Sequence, residues 1–186
     1  MLTHIGQIVP NCGIPTMFHG IMYRSRLEAK WAAVFETINW PVTYEPFDLL
    51  GYVPDFVGEF GASDLLIEIK PDISVSALDA AKRKIEQSGW SGEALILSGR
   101  TEFFAVQPRI GDFAEYVVGP DGSQHVWSDA FMFRCLNCGQ MFACGGESWR
   151  CRRCGAYEGN AHIGDVGNDL EAAWCDAGNR VQWRAE

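Results

Sequence analysis

The chain has 186 residues, 47% of them hydrophobic, 12% aromatic and 21% charged, and its 15 basic and 24 acidic side chains give a formal charge of −9. That balance excludes a disordered chain and a generic polybasic coat for nucleic acid or anionic lipid, while leaving room for a local basic groove. No stretch approaches the roughly 20 uninterrupted apolar residues of a membrane span, and MLTHIGQIVP lacks the basic and apolar regions of a secretion signal; the expected compartment is the cytoplasm.

Residues 1–23, interrupted by Gly6, Pro10, Gly13, Pro15 and Gly20, predict short strands or a hairpin. Ser25 then opens a helix whose apolar positions Leu27, Trp31, Val34, Phe35 and Ile38 recur at the spacing of one helical face, and Pro41 closes it. Strands are expected at 42–45, at 51–57 with Pro54 marking an edge or a bulge, and at 64–70 before Pro71. Residues 77–88 return to helical composition and stop at Gly89. Further strands are expected at 94–98, 101–106 and 115–118, followed by a Gly-Pro-Asp-Gly turn at 119–122. The order of helix, three strands, helix and strand predicts an α/β sandwich with a mixed sheet.

The seven cysteines are placed unevenly: Cys12 stands alone and six lie between Cys135 and Cys175. In a cytoplasmic chain they read as thiols or metal ligands. Charge changes at the same point, with nine basic against sixteen acidic side chains over 1–128 and six against eight over 129–186. The expected division is a first domain over 1–128 and a second over 129–186. Cys135-Leu136-Asn137-Cys138-Gly139 and Cys151-Arg152-Arg153-Cys154-Gly155 are two C-x-x-C-G knuckles, each offering two thiolates beside a glycine turn. Together they predict a closed Cys₄ site for structural Zn²⁺. Cys144 and His162 are candidate replacement ligands, although the symmetry of the knuckles argues against both, and Cys175 reads as a buried thiol. The region resembles a zinc ribbon. Phe133, Met141, Phe142 and Trp149 form too small a core, so the metal is expected to supply its folding energy. Arg150, Arg152 and Arg153, interleaved with Trp149 and Phe142, have the composition of a phosphate-gripping, base-stacking surface, or of a scaffold that binds another protein. Residues 156–186, with Trp174 and Trp183, are expected to pack back onto the body.

The first domain carries Pro54-Asp55 and, after the twelve residues 56–67, Glu68-Ile69-Lys70. Along a strand Glu68 and Lys70 share a face while Ile69 points into the core. Antiparallel pairing of the preceding strand would bring Asp55 beside Glu68. Two adjacent carboxylates suit a hard divalent cation with oxygen ligands. Such a cation lowers the pKa of bound water and offsets charge on a phosphate in transfer, with Lys70 steadying the transition state. These words, behind the Arg26-Leu27-Glu28-Ala29-Lys30-Trp31 helix, resemble the PD-(D/E)xK nuclease superfamily over about residues 22–106. The resemblance implies a restriction-endonuclease-like fold with an αβββαβ core. It also implies metal ligation by Asp55, Glu68 and the Ile69 main-chain carbonyl, with Lys70 as catalytic lysine. It places Glu28 where many members complete the site, and Lys82, Lys84 and Gln87 where members add a phosphate contact.

Blander readings stand beside these. Glu and Lys alternate on surface strands as cross-strand ion pairs, Ser25-Arg26-Leu27-Glu28 is also a helix capping box, and Lys82-Arg83-Lys84 suits a solvated helix face. His4, His19 and His125 have no partner at ligand spacing. No phosphate loop, His-Glu-x-x-His site or Gly-x-Ser-x-Gly elbow is present. The expectation is therefore a DNA nuclease dependent on Mg²⁺ (or Mn²⁺), with a zinc ribbon assisting binding, in a compact phage-like layout. The rivals are a non-catalytic nucleic-acid-binding or inhibitory protein and a protein-binding adaptor. One duplex-cutting site per chain calls for two nicks or two chains, so a homodimer stays open.

Overall fold

A computed structural model describes residues 13–60, 64–71, 74–104, 107–120, 122–145, 149–157 and 162–181; the side chains of 100–104, 107 and 167 are outside that description. His4, Cys12 and Trp183, and the expected strand end at 105–106, also lie outside the described residues. Over the described residues the fold is mixed α/β, with three helices around a curled mixed sheet.

A short hairpin of β1 (Thr16–Phe18) and β2 (Ile21–Tyr23) precedes α1 (Arg26–Thr37). The helix starts where the sequence places it, because the Ser25 side chain accepts from the Glu28 amide. It buries Trp31, Val34 and Phe35 completely. Next come β3 (Val42–Tyr44), β4 (Phe56–Glu59) and β5 (Asp64–Lys70), then α2 (Val75–Gln87) and β6 (Glu93–Phe104). The expected strand at 51–57 is displaced. Pro54 has no N–H to give, so ladder pairing begins only at Phe56, and residues 49–52 form a separate tight turn. The expected strands at 94–98 and 101–106 are one strand, with a register shift between Leu97 and Glu102.

The chain continues through β7 (Gln107–Gly119), β8 (Gly122–Cys135), β9 (Met141–Cys144) and β10 (Ile163–Gly164) into α3 (Gly167–Arg180). One sheet runs in the order β10-β8-β7-β6-β5-β4-β3, with β9 also on β8; the β5–β6 pair is parallel and the others antiparallel. Strand β8 thus passes through residue 128 without a break. At Gly111, β7 crowds β6 so closely that an added Cβ would lie 1.8 Å from the Ile96 carbonyl oxygen.

Alternation along β5 sorts its side chains between two cores. Leu65, Ile67 and Ile69 join α1, α3 and the inner residues of β8 and β9, whereas Leu66 joins Ala81 and Ile85 of α2. Helix α3 packs on α1, with the Trp31 and Trp174 rings 5.0 Å apart and Lys30 Nζ 3.6 Å from the Trp174 ring centre. The last residues of α1 are tied to the cysteine region: Trp40 Nε1 donates to Met141 O at 2.8 Å, and Gln140 Nε2 donates to Ile38 O at 3.2 Å. No helix among the described residues is long and apolar enough to cross a membrane.

Candidate functional site

Register makes the first site. Phe56 pairs with Ile67 in the antiparallel β4–β5 ladder, so the next pair outward is Asp55 and Glu68. The Ile69 amide donates to Asp55 Oδ2 at 2.6 Å, which locks the two strand ends together. Ile69 itself turns into the core, and Glu68 and Lys70 emerge on the opposite face beside α2. Asp55, Glu68, Ile69, Lys70 and Glu28 all line one cleft of about 610 Å³, together with Arg24, Tyr52, Lys84 and Gln87.

Each carboxylate in the cleft is held by protein donors. Arg24 Nη2 donates to Asp55 Oδ1 at 2.8 Å, while its Nε meets Glu45 Oε1 at 2.5 Å. Lys70 Nζ donates to Glu68 Oε1 at 2.5 Å, and the Tyr52 hydroxyl donates to Glu68 Oε2 at 2.7 Å. Glu28 completes a variant of the capping box. Its Oε1 accepts from the Ser25 hydroxyl at 2.7 Å, and its Oε2 accepts from the Tyr44 hydroxyl at 2.7 Å and from the Arg24 amide at 3.1 Å. Asp55 and Glu68 are each only 5% exposed. Burial and then the Glu68 charge push Asp55 up to about 7, against the Ile69 N–H and Lys70. Burial raises Tyr44 to about 12 and Tyr52 further still, with their glutamate partners acting in the same direction, so both hydroxyls remain donors.

The cysteine knuckles form the second site. The four sulfurs of Cys135, Cys138, Cys151 and Cys154 lie within 4.8 Å of one another. Two of the pairs, Cys135–Cys154 and Cys138–Cys151, stand at 3.5 and 3.6 Å. Those spacings suit the edges of a tetrahedron around a 2.3 Å Zn–S bond. In each knuckle the glycine takes a positive φ (75° at Gly139, 74° at Gly155) and donates its N–H back to the first cysteine's carbonyl, at 2.7 and 2.8 Å. The Asn137 side chain and the Ala156 amide draw the Cys154 thiol down to about 6, toward the thiolate a metal needs, whereas burial pushes Cys151 up to about 12. The set is compatible with zinc. Among the described residues it is the one group of three or more His, Cys, Asp or Glu ligand atoms that converges in this way. Asp55, Glu68 and Glu28 share a cleft without closing to that span.

Several expected residues fall elsewhere. Cys144 is buried on β9 outside the cluster, its thiol raised by burial to about 12, and His162 is not a member either. Cys175 is exposed on α3, not buried, because α3 turns Ala173, Trp174 and Ala177 toward α1 instead. Arg150 and Arg153 are exposed near the knuckles, the first over the Tyr157 ring and the second donating to Gln140 Oε1. Arg152 points inward, where it pairs with Glu93, donates to Ala143 O and covers the Phe113 ring. Phe142 is buried and Trp149 lies against Phe133, so these rings belong to the interior and are not open to bases. Lys84 and Gln87 reach the cleft, but Lys82 is bonded to the buried Asp112 at 2.7 Å. Sequence reasoning missed Arg24, Tyr44 and Tyr52, whose roles depend on pairs 16 or 31 residues apart. Their one local signal is position, since Arg24 immediately precedes the Ser25 cap and Tyr52 lies three residues before Asp55.

No protein-family model, no curated protein and no solved structure matches this chain.

Proposed function

We propose that the protein is a divalent-cation-dependent DNA nuclease, its cleft hydrolysing phosphodiester bonds and its cysteine-stapled end, when loaded with zinc, assisting the grip on nucleic acid. The observation carrying this reading is that Asp55, Glu68 and Lys70, from the junction before one strand and the end of the next, line one cleft with Lys84 and Gln87 on its far wall. The donor set fits Mg²⁺ or Mn²⁺: Asp55, Glu68 and the Ile69 carbonyl offer hard oxygens, and Arg24 sits over Asp55 as a removable cap, its side chain 56% exposed. A divalent cation held there would supply positive charge against the phosphate and acidify a water ligand.

The chain's own residues supply the rest. The Ile69 amide and the Tyr52 hydroxyl fix the directions of the two carboxylates, and Lys70 is an ammonium placed to steady a nucleophilic water or a non-bridging oxygen. Lys84 is free to meet the phosphate backbone, a role in which Lys82 is hindered by Asp112. A second reading, a nucleic-acid-binding protein without catalysis, draws on the ion pairs Arg24–Asp55 and Lys70–Glu68, which neutralise the carboxylates with no cation at all.

Incubation with plasmid, linear duplex and single-stranded circle, in Mg²⁺ or in EDTA, separates the two. We expect Mg²⁺-dependent cleavage that Asp55→Ala or Lys70→Ala lowers by about 10³-fold while binding is retained. Binding without cleavage under any divalent cation would establish the second reading.

A further inference from the structure

The tight turn at residues 49–52 carries two features that nothing in the cleft chemistry requires. Leu49 and Tyr52 exchange both backbone hydrogen bonds, at 2.7 and 3.1 Å, leaving Leu50 and Gly51 at the tip with φ of +55° and +89°. Such a turn prefers Asn, Asp or Gly at its first central position. A leucine there is strained by its Cβ, and this one is also 91% exposed. Of the described non-glycine residues with positive φ (His19, Asn39, Glu45 and Leu50), it is the one apolar side chain. Both departures favour replacement by a small polar residue. Together they mark a site where an apolar tip is wanted in spite of the fold.

The tip is also aimed and braced. Leu49, Leu50, Gly51 and Tyr52 line the same cleft as Asp55, Glu68 and Lys70, and the Tyr52 hydroxyl bonds Glu68 directly. The Asp48 carboxylate accepts from the Gly51 amide at 2.5 Å, which stiffens the turn from below. On the same loop, exposed Phe47 stacks on Trp90 with ring centres 6.2 Å apart, adding an aromatic surface. A rigid apolar tip above a phosphate-directed cleft suits one kind of contact: insertion between neighbouring bases, which partly unstacks them and kinks the strand.

We propose that Leu50 is a wedge that enters a base step next to the phosphate held in the cleft, so that the substrate is a nucleic acid whose stacking yields at that point. The inference rests on the nucleic-acid reading of the cleft, and the experiment separates the two. Short duplexes carrying 2-aminopurine at successive positions are mixed with full-length Asp55→Asn protein in Mg²⁺, while wild-type protein is assayed in parallel for cleavage. Unstacking appears as a several-fold rise in 2-aminopurine fluorescence at one or two positions. Added to the Asp55→Asn background, Leu50→Ala and Leu50→Asn should abolish that rise and weaken binding about 5- to 20-fold, and Leu50→Phe should retain both. Leu50→Asn should at the same time raise the melting temperature, whereas a leucine with a packing role would lower it. Cleavage or binding with no fluorescence rise at any position, or a rise that survives Leu50→Ala, overturns the wedge and leaves the nuclease reading standing. Unstacking without cleavage keeps the wedge and removes the hydrolase. Failure to bind any duplex, together with no cleavage, removes both.

Discussion

The cleft and the cysteine knuckles are both clusters of would-be anions built on tight turns, yet they solve the charge problem in opposite ways. In the cleft, Arg24 and Lys70 already lie against Asp55 and Glu68, and two tyrosine hydroxyls and two backbone amides bond to carboxylate oxygens of Asp55, Glu68 and Glu28. At the knuckles four sulfurs face one another, all within 4.8 Å. The first arrangement balances its carboxylates within the protein; the second is a thiol cluster compatible with zinc, whose charge a bound ion would balance.

The largest effect that sharpens this contrast is zinc removal. Structural zinc contributes on the order of 10 kcal/mol, comparable with the whole stability of a domain this size. A strong chelator, or Cys151→Ser, should therefore collapse the cooperative transition seen by circular dichroism. Withdrawing Mg²⁺ alone should leave it unchanged. A chelated protein that melts as before would mean that the knuckles need no ion.

Next in size is the electrostatic strain in the cleft. Burial and then the Glu68 charge push Asp55 up to about 7 in the folded protein, above the ordinary carboxylate range, so the folded state holds the proton more tightly. Its favourable contribution is complete below pH 4 and disappears as pH rises through 7. Asp55→Asn keeps the shape and removes the charge, so it should match wild type near pH 4 and exceed it by about 4 kcal/mol at pH 8. Denaturant melts across that range provide the check, and equal stabilities at pH 8 would show that Arg24 fully compensates the charge. The smallest effect belongs to Glu28. Its cap and tyrosine bonds predict that Glu28→Gln costs about 1 kcal/mol, with cleavage falling no more than stability explains. A cleavage loss of a hundredfold or more would instead make Glu28 part of the ion site.

The comparison also explains what could be read from the residues alone. The knuckles were fully legible because a C-x-x-C-G word is local: spacing, turn and ligands lie within five residues. Helix α1 was legible for the same reason, through the Ser25 cap and the Trp31, Val34 and Phe35 period. In the cleft, strand alternation made Glu68, Ile69 and Lys70 legible, and the resemblance added Asp55, Glu28, Lys84 and Gln87, which line the same cleft. The partners that hold it, Arg24 and Tyr52, come from the pairing of distant segments. Strand β8 and helix α3 escaped notice for other reasons. The former mixes Asp129 and Arg134 into its apolar run, and the latter begins at Val166 with no side-chain cap and includes two glycines. Arg152 misled because an arginine beside cysteines reads as surface, whereas Glu93, 59 residues away, draws it inward.

The bonds from Trp40 to Met141 and from Gln140 to Ile38 carry a practical lesson about dissection. The first helix has its capped beginning at the acidic cleft and its end riveted to the sulfur-rich lobe, so a scissors cut after residue 128 would strip that rod of its anchor and bare the face that α3 shelters. Halves expressed apart should be sticky fragments, and the useful unit for crystallisation or engineering is the undivided chain.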